Sequence, residues 1–100
     1  MARITFVSRM TVKPGREADF VRLCTALAAQ VHRHESRERT LIYEFFKLRE
    51  PRRFCVIESF SDEAAEHAHM NSAWLAEFGP GIMDCLDGEY VREYLDPFQA

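Results

Sequence analysis

Arg53–Ser72 reads RFCVIESFSDEAAEHAHMNS and joins an alternating strand to a helix with no slack between them. Phe54, Val56, Glu58 and Phe60 fall on one face of a period-two strand, and Cys55, Ile57 and Ser59 on the other. Both faces are mostly apolar, so each needs a cover: helices on one side, and a second sheet or a second copy of the chain on the other. Ser61 sits where a helix N-cap belongs, and Asp62 and Glu63 follow in the first turn, where carboxylates favour the positive end of the helix dipole. Glu58 is the odd member of its face. A carboxylate among aromatic side chains must find a hydrogen-bonding partner or take up a proton, which makes it a candidate for chemistry. A salt bridge to a neighbouring strand is the structural alternative.

Upstream of this stretch, Thr40–Leu48 alternates Leu41, Tyr43 and Phe45 against Ile42, Glu44 and Phe46. The short turn Arg49-Glu50-Pro51-Arg52 then makes the two strands an antiparallel hairpin. Earlier still, Phe20, Leu23, Cys24, Leu27, Ala28 and Val31 step by three and four into one helical stripe, with Arg16, Glu17, Asp19, Arg22, Gln30 and Arg33 elsewhere on the circle. His32 to Ser36 reads as the fraying, solvated end of that helix. The first strand is Arg3–Val12, with Ile4, Phe6, Met10 and Val12 on one face and Ser8 as a polar gap among them; Lys13-Pro14-Gly15 stops it.

Downstream, Ser72 caps another helical stretch carrying Trp74, Leu75 and Phe78, which Gly79-Pro80-Gly81 is expected to break or kink. Asp87-Gly88 is a turn signal, and Glu89–Leu95 alternates as a last strand. The order strand, helix, strand, strand, helix, strand is the split βαβ arrangement of an α+β, ferredoxin-like fold: a four-stranded antiparallel sheet with the helices on one face. The other face, with Val7, Cys55, Ile57 and Ile42, is too apolar to leave wet, and we expect it to pack on the same face of a second copy as a homodimer.

One hundred residues predict one domain over 1–100, and an apolar content of 47% is ordinary for one with a core. The formal charge of −3, with no basic block interleaved with aromatics, argues against nucleic acid as a partner. MARITFVSRM lacks the apolar run of a signal peptide, and no stretch approaches a membrane span, so the expectation is a cytoplasmic protein without membrane association. Cys24, Cys55 and Cys85 have no CxxC spacing and read as reduced core thiols. The pairs His32/His34 and His67/His69 invite a metal reading. On a helix, however, residues two apart point about 200° away from each other, so no metal site is expected. No GxGxxG or Walker loop is present to hold a nucleotide.

Four pieces of the chain resemble the antibiotic biosynthesis monooxygenase family, small dimeric α+β barrels that include cofactor-free quinol and anthrone oxygenases. They are Arg9-Met10-Thr11-Val12-Lys13-Pro14-Gly15, Tyr43-Glu44-Phe45, Arg53-Phe54 with Glu58-Ser59-Phe60, and Asp62-Glu63-Ala64-Ala65 with Ala68-His69-Met70-Asn71-Ser72. The chain departs from that family's usual pattern in having Phe60 where a Trp is common and Glu38-Arg39 where a Pro-Gly pair is common. The haem-degrading branch relies on an Asn, a Trp and a His at places that here hold Ser8, Phe60 and Gly79, which argues against haem degradation.

The resemblance implies a cavity between sheet and helices, lined by Ser8, Tyr43, Glu58 and Phe60 and roofed by His69 and Trp74. It implies oxidation of a small electron-rich aromatic, a dihydroquinone or anthrone, by O2 with no bound cofactor. A general base takes a phenolic or benzylic proton, the anion passes an electron to O2, and a dry aromatic pocket holds the radical pair together. His69 is the first choice of base, because an imidazole ordinarily titrates near neutrality; Glu58 is a second base or orients the histidine. Tyr43, Asn71 and Trp74 would hold the substrate by hydrogen bonds and ring contact, with Ser8 and Phe60 completing the wall. Core roles for Tyr43 and Trp74, and a strand-bonded His69, are the structural alternatives. Two other functions stand beside the oxygenase: an isomerase of the same barrel family, of muconolactone or signalling-sugar-phosphate type, and a non-enzymatic dimeric binding module. For a phosphate-bearing substrate, Arg9 with Arg92 is the only basic pair available.

Overall fold

The computed structural model describes residues 3–98. Four strands, β1 (Ile4–Thr11), β2 (Thr40–Lys47), β3 (Arg53–Phe60) and β4 (Val91–Tyr94), form one antiparallel sheet in the order β2-β3-β1-β4. Helix α1 (Glu17–His34) connects β1 to β2, and α2 (Glu63–Met70) with α3 (Ala73–Asp84) connects β3 to β4. This is the ferredoxin-like α+β arrangement that the order of elements predicts.

The predicted stripe of α1 is its buried face: Phe20, Cys24, Leu27 and Val31 are inaccessible and lie over Met10, Tyr43, Phe54 and Val56 of the sheet. The Phe20 ring sits 4.9 Å from that of Phe54. Burying a side chain of this kind is worth ~1.5–3 kcal/mol, so this layer dominates the core. On β3 the predicted parity also holds, with Phe54, Val56, Glu58 and Phe60 all buried under the helices. On the outer face, Thr5 and Ser59 share a hydroxyl hydrogen bond of 2.7 Å.

Four local expectations are corrected. The N-cap of α2 is Asp62, not Ser61: the strand β3 runs to Phe60, the helix starts at Glu63, and the Asp62 carboxylate accepts from the Ala65 N–H at 2.8 Å. Gly79-Pro80-Gly81 does not break the helix. α3 runs through it from Ala73 to Asp84, and Gly81 lets it approach α1, since a Cβ there would stand 3.2 Å from Leu23 Cδ1. The last strand is Val91–Tyr94, shorter than Glu89–Leu95. On β2 a bulge between Thr40 and Ile42 interrupts the alternation, so Thr40 faces the helices with Tyr43, and Leu41, expected on that face, is the extra residue, 39% exposed. The expected cap at Ser72 is present, its Oγ accepting from the Leu75 N–H at 3.2 Å.

Candidate active site

On the helix-facing side the ladder stacks its side chains in rows. One row runs Tyr43, Glu58, Phe6, Tyr94 across the four strands, and the next runs Phe45, Val56, Ser8, Arg92. Above them the buried residues of α2 are Ala65 and His69, one turn apart. Ala65 is small enough to let the helix settle on Phe6 and Phe60, which lowers His69 onto the sheet. The imidazole is 2% exposed, its ring 5.0 Å from that of Tyr43 and 5.2 Å from that of Phe60.

Two carboxylates meet this ring from opposite sides. His69 Nδ1 lies 2.7 Å from Glu35 Oε2, and Nε2 lies 3.5 Å from Glu58 Oε1, within ionic reach but beyond a normal hydrogen bond. Glu35 was expected in a solvated helix end, and that expectation is corrected. The chain leaves α1 at Glu35 in extended conformation, and its carboxylate turns inward, where it also accepts from Trp74 Nε1 at 2.7 Å and from the Thr40 hydroxyl. Thr40 reaches it because of the bulge in β2. The signal was in the sequence after all: Glu35 is the next position, four residues on, of the stripe that ends in Val31.

The environments drive the two carboxyls apart. Burial pushes Glu58 up from the ordinary 4.5 to about 7, against the opposing pull of His69 and Arg92. At Glu35 burial acts in the same upward direction, but hydrogen bonds from His69, Thr40 and Trp74 outweigh it and hold the carboxyl below its usual value. Glu35 is therefore the fixed anion at neutral pH and Glu58 the group able to gain or lose a proton there. Burial raises the Tyr43 phenol above its usual range, so it stays protonated.

Beneath His69 lies a cavity of about 340 Å³, lined by Ser8, Tyr43, Glu58, His69, Tyr90 and Arg92 with an apolar remainder that includes Met10, Leu27, Val56 and Ile82. A second cavity of about 290 Å³ meets the other side of His69, bordered by Glu35, Arg39, Thr40 and Trp74. Of the residues singled out from sequence, Ser8, Tyr43, Glu58 and His69 converge on the first cavity. Trp74 stacks on His34 and braces Glu35, and it borders the second cavity only. Phe60 is fully buried behind His69. Asn71 is exposed at the C-terminus of α2, its Nδ2 donating to the His67 carbonyl, away from the cavity. The basic pair is separated: Arg92 lies on the cavity side as the cross-strand partner of Ser8, whereas Arg9 pairs with Glu93 at 2.7 Å.

The match to the family model for antibiotic biosynthesis monooxygenases spans residues 3–79. This chain belongs to that family. The structure of a Caulobacter crescentus protein named for the same family superposes with a TM-score of 0.88 at 26% identity, covering 97% of this chain and 91% of that one. A conserved protein from Methanosarcina mazei gives 0.84 at 26% identity, over 95% and 92%, and a Pseudomonas aeruginosa protein gives 0.82 at 25%, over 98% and 96%. No curated protein matches the chain. Among the described residues, no helix of this family member is long and apolar enough to cross a membrane.

Proposed function

We propose that the protein oxidises a small electron-rich aromatic, of dihydroquinone or anthrone type, with O2, and that His69 is the base that starts the reaction. The observation that carries this reading is one buried imidazole, tied at Nδ1 to the Glu35 carboxylate and presenting Nε2 to an aromatic-walled cavity. Glu35 fixes the ring's orientation and stabilises the imidazolium formed on proton uptake. Glu58, near neutrality in pKa, accepts or returns the second proton. The phenolate or benzylic anion then transfers an electron to O2, and the apolar walls keep the pair from water. At a benzylic CH2 one oxygen atom becomes the new carbonyl and the other leaves as water with the two hydrogens, so no external reductant is consumed.

Family membership supports a monooxygenase reading by its name, and the substrate class is the one the family resemblance implies, with which a cavity walled by Tyr43, Phe45 and Tyr90 is compatible. We take the working form to be a homodimer joined through the outer sheet face, where Val7, Ile42 and Ile57 are half-buried and Val91 is 59% exposed in the single chain. The test is oxygen uptake by metal-stripped protein with a panel of dihydroquinones and anthrones. Uptake above buffer autoxidation is expected for at least one compound. A folded protein that consumes no oxygen across the panel, yet exchanges a ligand's carbon-bound protons anaerobically, would mark an isomerase instead.

A further inference from the structure

Two residues that line the first cavity each carry a buried polar atom with no hydrogen-bond partner among the described residues: Ser8 Oγ and Arg92 Nε. Ser8 is 3% exposed, and a buried donor left without an acceptor costs ~1–3 kcal/mol, so an unfilled pair of this kind calls for an acceptor. The two residues are direct cross-strand partners on β1 and β4. Their row is otherwise apolar, with Phe45 and Val56. The Arg92 Cζ lies over the Phe6 ring, 4.1 Å from its centroid, a contact that holds the guanidinium without neutralising its charge.

We propose that Ser8 and Arg92 form a receptor for a carboxylate substituent on the aromatic substrate, remote from the position that His69 deprotonates. The assignment rests on reading the cavity as a substrate site but not on the oxygen chemistry. Arg92 on β4 and Glu58 on β3 line the same cavity with β1 between them, so a substrate's acidic group and its reacting group would meet different strands of one wall. Among the described residues, Glu58 is the one acidic side chain lining this cavity. An anion seated at Arg92 favours its protonated form and thereby removes the repulsion. Ser8, between them, supplies a hydroxyl donor to the same carboxylate.

Calorimetric titration with 6-hydroxy-2-naphthoate and with its methyl ester tests the assignment without turnover. Wild-type protein is expected to bind the acid about 10-fold more tightly than the ester, as a charge-assisted contact implies. Arg92→Met should bring the two affinities together, Arg92→Lys should restore part of the difference, and Ser8→Ala should reduce it. Equal affinities in wild type, no measurable binding of either compound, or a preference that survives in Arg92→Met would each overturn it. If Arg92→Met fails to fold for want of its contact with Phe6, the wild-type comparison and Arg92→Lys decide. Failure of the oxygenase reading alone would show differently: the acid would bind selectively, and no panel compound would consume oxygen.

Discussion

Glu35 and Glu58 carry the same functional group and flank the same imidazole, yet their surroundings push their protons in opposite directions. The folded-state pKa of Glu58 lies above its unfolded value, so the native state binds more protons than the unfolded chain between about pH 4.5 and 7. Stability from this group therefore falls as pH rises through that window, by up to about 3 kcal/mol. Glu58→Gln should be more stable than wild type in urea melts at pH 8 and no more stable at pH 4; a constant difference across that range would contradict the assignment. Glu35 has the opposite sign. Its folded pKa is depressed, so its contribution is present above the unfolded value and lost as pH falls through the folded one, and Glu35→Gln should flatten the acid limb of the melt profile. Of this site, Glu58, Ser8 and Tyr43 were legible from strand parity, and His69 through the family resemblance. Glu35 hid at the end of a helix among polar neighbours, and Arg92 hid in a strand of four residues, where its face depends on which residue of β1 it pairs with.

At the level of elements, the placement of His69 depends on how α2 is begun and how β2 is interrupted. Asp62 caps α2, and Asp62→Ala should cost ~1 kcal/mol in a chemical melt. The bulge at Leu41 exchanges an apolar residue for the Thr40 hydroxyl beside Glu35. No alternation in the sequence shows it, because a bulge is a property of the pairing and not of one strand. Pro80 is likewise a case where tertiary packing overrides a local signal. The apolar side chains of α3 are held against α1 and the sheet, and the helix continues past a residue that donates no hydrogen bond. Pro80→Ala restores the donor on an exposed position and should raise stability by ~1–2 kcal/mol, or on the order of 5 °C in melting temperature. Gly81→Ala should not share that gain, because its methyl would press on Leu23.

For the whole molecule, the division of labour between sheet faces governs everything else. One face carries both the core and the cavity, which share Met10, Leu27, Tyr43, Val56 and Ile82, and the order β2-β3-β1-β4 brings Tyr43, Glu58, Ser8 and Arg92 side by side from four segments far apart in the chain. The opposite face is expected to meet its twin. Light scattering should give twice the chain mass, and Ile57→Glu should halve it; a wild-type monomer would contradict the paired form. The fold was readable from periodicity and element order. The cavity's floor was readable only in part, since the face of Arg92 is fixed by its partner across the sheet.

The most direct test of His69 as the base compares His69→Ala with wild type in oxygen uptake on a panel substrate, with 6-hydroxy-2-naphthoate affinity measured on the same samples. The expected result is a kcat lower by at least ~100-fold with affinity changed only a few-fold. A variant that folds, binds and turns over at the wild-type rate would contradict it.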